Sequence, residues 1–505
     1  MRALLAERRQ LFAASSLAAA LVVIRSLVWI FFEQSHFDSD QAIVGLMAKH
    51  LAEGRAFPLF FYGQHYMLAV EPWLAAPIFK VAGASVTTLK LPLLGINIAI
   101  AVLLLWILTK RIGLKASDAF VASIFFIMPP PLPSARLVEA QGSNIEPLLY
   151  VLVLWLLRER PIAFGLFAGF AFLHREFTAY AIAAIVFIDV LTGRLFTRQR
   201  WRDYAVAWGM CALVMFVVSL LKTRADLLGP GTAGTMNFSS LDAQVSSWGG
   251  FICWSPSELK WNLQWLLMEN LGMMFNWKPD RLGPEGWAGV PAGHVWIAAV
   301  LTAIVALASV QVARDRQHIG TRWEFCCYVM LIAVEAALAY AVLGCHVRDA
   351  SLIRYTLLTI YFPIGLAALF FCAAPRRGLR AAMVALVMVW GLTSFVDNAR
   401  FLAAYLHRPP PSPYRELTTY LETQGVRYGR ALYWTAYQVD FFSQERLTVA
   451  SLEKVRVAEY QRTVDQHGDE AVQILSIRDG CRQGVPFRYW CLINLDRARH
   501  VLSAH

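Results

Sequence analysis

The sequence predicts a mainly α-helical, polytopic membrane protein: a bundle of about eleven spanning helices with interfacial helices in its first outer loop, and a small α/β domain at the carboxyl end. Of the 505 residues, 57% are hydrophobic and only 16% are charged, whereas soluble proteins carry about 25% charged residues. Long apolar runs recur from residue 11 to residue 396, and ordinary globular composition follows. We therefore predict a membrane domain over residues 1–396 and a second domain over residues 397–505.

The basic residues indicate how the chain lies in the membrane. The formal net charge is +11, but the basic side chains fall mostly in short loops between apolar runs, so we predict no nucleic-acid partner. With the amino terminus in the cytoplasm, the inner loops are rich in Arg and Lys, and the short outer loops carry few. The predicted spans are residues 11–32, 87–109, 116–133, 139–157, 161–173, 177–193, 203–221, 291–313, 323–344, 353–374 and 379–396. Their odd number places the tail in the periplasm of a bacterial inner membrane.

One pair of spans is too short for two complete crossings. Residues 161–193 number 33, whereas two full spans need about 40 residues. A turn at His174, Arg175 and Glu176 would therefore lie below the outer surface, where backbone turns only against protein or a water-filled cavity. In the fourth span, Glu146 lies near mid-membrane and Glu139 near the outer edge. These two carboxylates also indicate water or protein, and not lipid, at this depth. We predict an aqueous pocket that opens to the outside.

Two further charges fall inside predicted spans. Arg25 lies about 10 Å inside the outer end of the first span, and Glu335 lies near the middle of the ninth. An ionisable group at such depth is a functional candidate. The alternative, which the sequence alone favours for each residue, is that Arg25 extends to the interface and Glu335 pairs with a neighbouring helix.

The first outer loop combines a helix start with two carboxylates. Asp38, Ser39 or Asp40 can cap a helix whose apolar positions form one stripe, which ends at Gly54. Such a helix lies in the interface and holds carboxylates where the head group of a lipid-linked substrate would lie. The alternative is that these carboxylates only cap the helix and have no catalytic role. Aromatic residues follow, as an interfacial belt or as a surface for sugar stacking; they are Phe57, Phe60, Phe61, Tyr62, Tyr66 and Trp73.

These residues carry a resemblance to a known superfamily. The shared features are an Asp-x-Asp after the first span, Gly54-x-x-Phe57-Pro58, Tyr62-Gly63-Gln64-x-Tyr66 with Glu71-Pro72, Arg354-Tyr355 followed by Pro363, and Tyr433-Trp434-x-x-Tyr437 with Glu445-Arg446. In this order they resemble the GT-C glycosyltransferases, nearest to the bacterial relatives of protein O-mannosyltransferases and aminoarabinose transferases. The resemblance extends over most of the chain.

The resemblance implies inverting transfer of a sugar from a polyprenyl-phosphate carrier to a cell-envelope acceptor, which is a lipid such as lipopolysaccharide, a glycan or a protein. Asp40 is the preferred general base and Asp38 the alternative. Cations must neutralise the departing lipid phosphate; the candidates are Arg354, Arg175, Arg348, His174 and Arg25. The further candidates for substrate binding are Tyr62, Gln64, Tyr66, Glu71, Glu139, Glu176 and Tyr355.

The sequence offers little support for a bound cofactor. It contains neither a dinucleotide fingerprint nor a P-loop, in agreement with a lipid-borne donor. An Asp-x-Asp pair can hold a divalent cation, but no cluster of His, Cys and carboxylates at ligand spacing supports one, so we predict no metal. The rival interpretation is a transporter or flippase, which broken spans and buried charges also fit, although a transporter would show corresponding broken spans in both halves.

The remaining outer segments leave alternatives open. The loop over residues 222–291 either covers the pocket and selects the acceptor or serves as a structural flap. Cys481 and Cys491 are ten residues apart in an oxidising compartment and can form a disulfide, while Cys253 and Cys345 are other candidate partners.

Overall fold

The computed structural model describes residues 2–32, 37–64, 67–142, 144–232, 253, 255–282, 290–342, 350–479, 481–482 and 484–495. The membrane part contains α1 (Arg2–Phe31), α2 (Ser39–Ala52), α3 (Val70–Ala82), α4 (Val86–Trp106), α5 (Ala116–Ile127), α6 (Pro131–Arg136), α7 (Glu146–Leu157), α8 (Pro161–His174), α9 (Thr178–Leu191), α10 (Arg198–Lys222), α11 (Pro256–Trp265), α12 (Leu271–Met274), α13 (Ile297–Arg314), α14 (Trp323–Val342), α15 (Tyr361–Cys372) and α16 (Arg377–His407). It also contains a short antiparallel pair, β1 (Asp280–Leu282) and β2 (Val290–Ala292).

The tail contains α17 (Pro413–Thr423), β3 (Tyr428–Ala431), α18 (Tyr433–Phe442), β4 (Thr448–Ser451), α19 (Ala458–Gln466), β5 (Val472–Ser476), β6 (Gly484–Phe487) and β7 (Trp490–Ile493). The strands that the structure describes there form one sheet in the order β4-β3-β5-β7-β6. Strand β3 pairs in parallel with β4 and β5, while β7 pairs antiparallel with β5 and β6. The predicted disulfide between Cys481 and Cys491 is present.

Among the described residues, seven helical segments are long and apolar enough to cross a membrane. They are Ala6–Phe31, Val86–Arg111, Arg198–Lys222, Ile297–Arg314, Gly320–Val342, Ile353–Cys372 and Arg377–His407. The four other predicted spans correspond to shorter apolar helices in the same described ranges, namely α5, α7, α8 and α9. A bundle of apolar helices with a small carboxyl-terminal sheet is therefore confirmed, while the count of eleven spans and the sidedness stay predictions.

The short helices α8 and α9 meet at the turn that the sequence predicts. Helix α8 begins at Pro161, whose fixed φ suits the first helical turn, and it ends at His174. Arg175 leaves the helix in an extended conformation, with φ −152° and ψ 127°, and α9 begins at Thr178. The three polar residues of this turn therefore lie between two apolar helices of 14 residues each.

Helix α2 is more enclosed than an amphipathic helix at a membrane surface. Residues on nearly every side of it are buried, because α3 and α18 both cover it. A Cβ built on Gly45 would lie 2.4 Å from Cε2 of Phe441 in α18. Any larger residue at position 45 would therefore displace the Phe441 ring from its contact with α2.

The segment before α15 has an uncommon conformation. Residues Ala350–Ile360 form a 3₁₀-helix of 11 residues, whereas most 3₁₀ segments are about three or four residues long. Helix α15 follows it directly and is buried at every residue except Phe362. The 3₁₀-helix carries both Arg354 and Tyr355 to the end of the bundle at which α2 begins.

Candidate active site

Two carboxylates lie where the chain enters α2. Asp38 is the N-cap residue, and its Oδ1 accepts a hydrogen bond from the Gln41 amide at 3.0 Å. Asp40 lies in the first turn, and its Oδ1 accepts a hydrogen bond from the Tyr433 hydroxyl at 2.5 Å. Its Oδ2 makes no hydrogen bond to a residue that the structure describes. Of the three caps that the sequence allows, the helix uses Asp38, and Asp40 retains an oxygen that can accept a proton.

Gln141 joins Asp38 to a guanidinium group. Its Nε2 donates to Asp38 Oδ2 at 2.5 Å, and its Oε1 accepts from Arg354 Nη1 at 2.9 Å. Arg354 also donates through Nη2 to the Tyr355 hydroxyl at 3.1 Å. A side-chain amide has a donor side and an acceptor side, so it can connect an anion with a cation and neutralise neither. One of the base candidates and the main phosphate candidate therefore belong to a single hydrogen-bonded chain.

A third carboxylate adds negative charge near Asp38. Glu139 is fully buried, accepting hydrogen bonds from Arg136 Nη1 at 2.7 Å and from Asn144 Nδ2 at 3.0 Å. Burial, and then the charges of Asp40 and Glu139, raise the pKa of the Asp38 carboxyl to about 7. A carboxyl group with such a pKa exchanges its proton near neutral pH, as acid–base chemistry requires.

The tail contributes directly to this region. Tyr433, the first residue of α18, donates to Asp40, and its backbone oxygen accepts a hydrogen bond from Ser39 Oγ at 2.8 Å. Arg456 donates to the backbone oxygens of Tyr62 and Gly63 at 3.1 and 3.0 Å. Its guanidinium also lies 5.8 Å from the centre of the Tyr433 ring. The region around Asp40 is therefore built from both the first outer loop and the tail.

Tyr355 brings two of the predicted phosphate-binding arginines together. The guanidinium carbon of Arg354 lies 5.0 Å from the centre of the Tyr355 ring, and that of Arg175 lies 5.7 Å from it. Arg175 further contacts Met67 Sδ through Nη1 at 3.6 Å, and its Nε lies 3.8 Å from Glu176 Oε1. The turn between α8 and α9 thus approaches the middle of the 3₁₀-helix, and each of the two segments carries one arginine.

Buried polar groups lie next to this turn. Glu71 Oε2 accepts a hydrogen bond from the Gly142 amide at 2.6 Å, and His174 Nδ1 lies 2.8 Å from the Tyr150 hydroxyl. Glu71 and His174 are 2% and 1% exposed. At Gly142, φ is +82° and a Cβ would lie 2.8 Å from Met67 Cε, so the close approach requires glycine.

The other end of α2 holds a different kind of cluster. Glu445 Oε2 accepts hydrogen bonds from Lys49 at 2.5 Å and Arg55 at 2.9 Å, and its Oε1 lies 2.9 Å from His50 Nε2. The Tyr460 hydroxyl donates to the same Oε1 at 2.8 Å. Burial raises the pKa of Glu445, but hydrogen bonds and charges from His50 and Lys49 outweigh it and hold the pKa well below its usual range.

The remaining predicted site residues occupy varied positions. Arg25 is fully buried in α1, where it donates to Asn97 Oδ1 at 2.7 Å. Tyr62 is also fully buried, with its hydroxyl 3.2 Å from His50 Nδ1. Gln64 is partly buried at the end of a described range. Tyr66 and Arg348 lie outside the described residues.

Several residues of this region carried no prediction from the sequence. Arg136 and Gln141 belong to the segment before α7, and Arg456 lies in the tail. Arg136 and Glu139 are three residues apart, and this spacing in the sequence could have predicted their ion pair. Among the residues that the structure describes, no group of three or more His, Cys, Asp or Glu side chains could hold a metal ion.

The fold, but not the sequence, is similar to known proteins. No family model matches the chain, and no curated protein sequence matches it. The crystal structure of apo ArnT from Cupriavidus metallidurans has a TM-score of 0.54 at 10% identity, over 95% of this chain and 98% of that one. For ArnT bound to undecaprenyl phosphate, the TM-score is 0.56 at 10% identity, over 95% and 97%.

A second similar structure comes from an archaeon. The oligosaccharyltransferase AglB from Archaeoglobus fulgidus, in complex with an inhibitory peptide and a dolichol-phosphate, has a TM-score of 0.50 at 11% identity. The similarity covers 93% of this chain and 69% of that one. At such identities, the similarities establish a shared arrangement of helices from end to end of this chain.

Proposed function

We propose that this chain, whose fold is that of the GT-C membrane glycosyltransferases, transfers a sugar from a polyprenyl-phosphate carrier to an acceptor in the cell envelope. The observation that carries the proposal is the hydrogen-bonded chain from Asp38 through Gln141 to Arg354. Such a transfer needs a carboxylate for the acceptor proton and a cation for the departing phosphate. Both are present at the start of α2: Arg354 lies one amide from Asp38, and Asp40, two residues further on, has an oxygen with no hydrogen-bond partner among the described residues.

The proposed chemistry assigns a role to each part of the site. Oδ2 of Asp40 accepts the proton of the acceptor hydroxyl, whose oxygen forms a bond to the anomeric carbon. The bond from that carbon to the phosphate oxygen breaks on the opposite face, so the configuration inverts. The bonding electrons leave with the lipid phosphate, which Arg354 and Arg175 stabilise as its negative charge increases. Tyr433 and Gln141 position the carboxylates.

The proposal also assigns a location. The positive-inside contrast of the loops favours a site on the outer face of a bacterial inner membrane, with the tail in the periplasm. A transporter is less well supported, because the similarity to ArnT covers 95% of this chain, including the tail that a transporter would not need.

The direct test is binding and transfer with the purified full-length protein. We expect undecaprenyl phosphate to bind and undecaprenol, which lacks the phosphate, to bind much more weakly. Arg354→Lys should weaken the affinity for undecaprenyl phosphate about tenfold, because lysine keeps the charge but loses the planar fork that matches phosphate oxygens.

The matched control is Arg380→Lys, since Arg380 pairs with Asp118 away from the site. Its affinity for undecaprenyl phosphate should equal that of the unmodified protein. Equal binding of undecaprenol and undecaprenyl phosphate would contradict the proposal, as would the absence of transfer from every polyprenyl-phosphate sugar offered with extracts of cell-envelope lipids, glycans and proteins.

A further inference from the structure

A cavity of about 350 Å³ lies within the tail, at its border with the first outer loop. Its volume is at the lower end of the range of about 300–1,000 Å³ that small-molecule sites occupy. Residues from three places line it: Phe37 before α2, Pro413 and Tyr414 at the start of α17, and the ends of two strands. The proposed transfer reaction does not use this cavity.

The sheet topology places the cavity where α/β folds bind ligands. After β3, the chain passes through α18 to β4 on one side of β3; after β4, it passes through α19 to β5 on the other side. The connection that leaves β3 and the connection that enters β5 therefore lead in opposite directions along the sheet, and the direction changes between these two strands. In open parallel sheets, ligands bind beyond the carboxyl ends of the two strands at such a point. Leu432 and Ser476, at those two ends, both line the cavity.

The lining combines flat aromatic surfaces with a buried hydrogen-bond acceptor. Tyr414, Tyr489 and Trp490 supply aromatic rings. Gln438 is only 3% exposed, and its Nε2 donates to the backbone oxygen of Trp434 at 2.7 Å. Because a carbonyl can only accept, this bond fixes the orientation of the amide. Oε1 of Gln438 makes no hydrogen bond to any residue that the structure describes.

The cavity is next to the candidate active site along two chain segments. Phe37 lines the cavity and directly precedes Asp38, and Leu432 lines it and directly precedes Tyr433, which donates to Asp40. Consecutive Cα atoms are about 3.8 Å apart. The cavity and the candidate active site therefore share two chain segments, and the cavity lies on the side of the tail.

We propose that this cavity binds a sugar ring of the acceptor. A sugar presents hydroxyl donors to a buried amide oxygen and a flat C–H face to aromatic rings, and both kinds of partner are present. Neither Arg354 nor Arg175, the proposed partners of the lipid phosphate, lines this cavity, so we assign the ligand to the acceptor and not to the lipid donor. This assignment to the acceptor rests on the proposed function, whereas the binding of a free sugar does not.

The test measures saturation-transfer NMR of the full-length protein with methyl glycosides of glucose, galactose, mannose, N-acetylglucosamine and glucuronic acid. We expect at least one glycoside to bind. Gln438→Leu removes the buried amide oxygen, and Tyr489→Ala removes a ring that is 43% exposed, so its loss should not disturb folding. Each substitution should weaken binding about tenfold. Tyr428→Ala, in the same domain but outside the cavity, is the control and should bind normally.

The outcomes separate this proposal from the one on which it rests. Asp40→Asn should lose transfer and keep glycoside binding. Failure of undecaprenyl phosphate to bind, together with normal glycoside binding, would overturn the proposed function and leave a sugar site. Active transfer without binding of any glycoside, or with binding that neither Gln438→Leu nor Tyr489→Ala weakens, would overturn the cavity proposal alone. Displacement of every glycoside by millimolar inorganic phosphate would also overturn it, in favour of an anion site.

Discussion

The two ends of α2 carry partly buried carboxyl groups in opposite surroundings. At the amino end, Asp38 lies beside two other carboxylates, and its pKa is raised to about 7. At the carboxyl end, Glu445 from the tail contacts Lys49, His50 and Arg55, and its pKa is held well below the usual range. Both ends connect the first outer loop to the tail.

Under the proposed function, this contrast separates a reactive site from a structural one on the same helix. Burial acts in the same direction on both carboxyl groups, so the neighbours decide the outcome. At the amino end, the negative charges of Asp40 and Glu139 add to the effect of burial, so the Asp38 carboxyl exchanges its proton near neutral pH. At the other end, positive neighbours keep the Glu445 carboxylate ionised. It can then join two parts of the chain by ion pairs, but it does not exchange a proton near neutral pH.

The largest expected effect is on catalysis at the amino end. Asp40→Asn should lower the rate of transfer by about 10²- to 10⁴-fold, because the amide cannot accept the acceptor proton. Its thermal stability should change little, since the Tyr433 hydroxyl can still donate to the amide oxygen. Turnover and the melting temperature are measured together. Normal turnover in Asp40→Asn together with loss of turnover in Asp38→Asn would identify Asp38 as the base. Normal turnover in both variants would refute the mechanism.

The next effect is on stability at the carboxyl end. Glu445→Gln should reduce the free energy of unfolding by about 3 kcal/mol, because Lys49, whose side chain is only 14% exposed, would lose its counter-charge. The exposed Glu459, whose one ion pair among the described residues is with Arg55, gives the matched substitution Glu459→Gln, with an expected cost below about 1 kcal/mol. Denaturant unfolding followed by tail-domain fluorescence measures both. Equal costs for the two would show that the Glu445 cluster is not the stronger connection.

The smallest effect concerns pH. Between about pH 4 and pH 7, the folded protein holds a proton on Asp38 that the unfolded chain has released, so this residue makes stability fall as pH rises. Asp38→Asn removes that contribution while keeping a good helix cap. The melting temperature should therefore fall less between pH 5 and pH 8 in the variant than in the unmodified protein. The same slope in both would show that Asp38 is already ionised at pH 5.

Local patterns in the sequence gave correct predictions where the structure depends on neighbouring residues. The cap at the start of α2, the break at His174 and Arg175, and the disulfide between Cys481 and Cys491 are all of this kind. Each rests on a short spacing or on a helix length that the chain itself specifies.

The contacts between the first loop and the tail could not be predicted in the same way. Tyr433 donates to Asp40 across 393 positions, and Glu445 meets His50 across 395. No periodicity or spacing extends so far, and the resemblance marked Tyr433 and Glu445 without naming their partners. Gln141 is likewise an ordinary amide in the sequence, and only its position between Asp38 and Arg354 gives it a role.

The 3₁₀-helix that carries Arg354 has a consequence for how far this side chain extends. A 3₁₀-helix rises about 2.0 Å per residue and an α-helix about 1.5 Å, so the seven residues from Arg354 to Tyr361 gain about 3.5 Å of length. Turning about 120° per residue instead of about 100° also rotates Arg354 by some 140° over the same stretch. As an α-helix, this segment would place the Arg354 guanidinium at a different height and on another face, and the hydrogen bond to Gln141 depends on both.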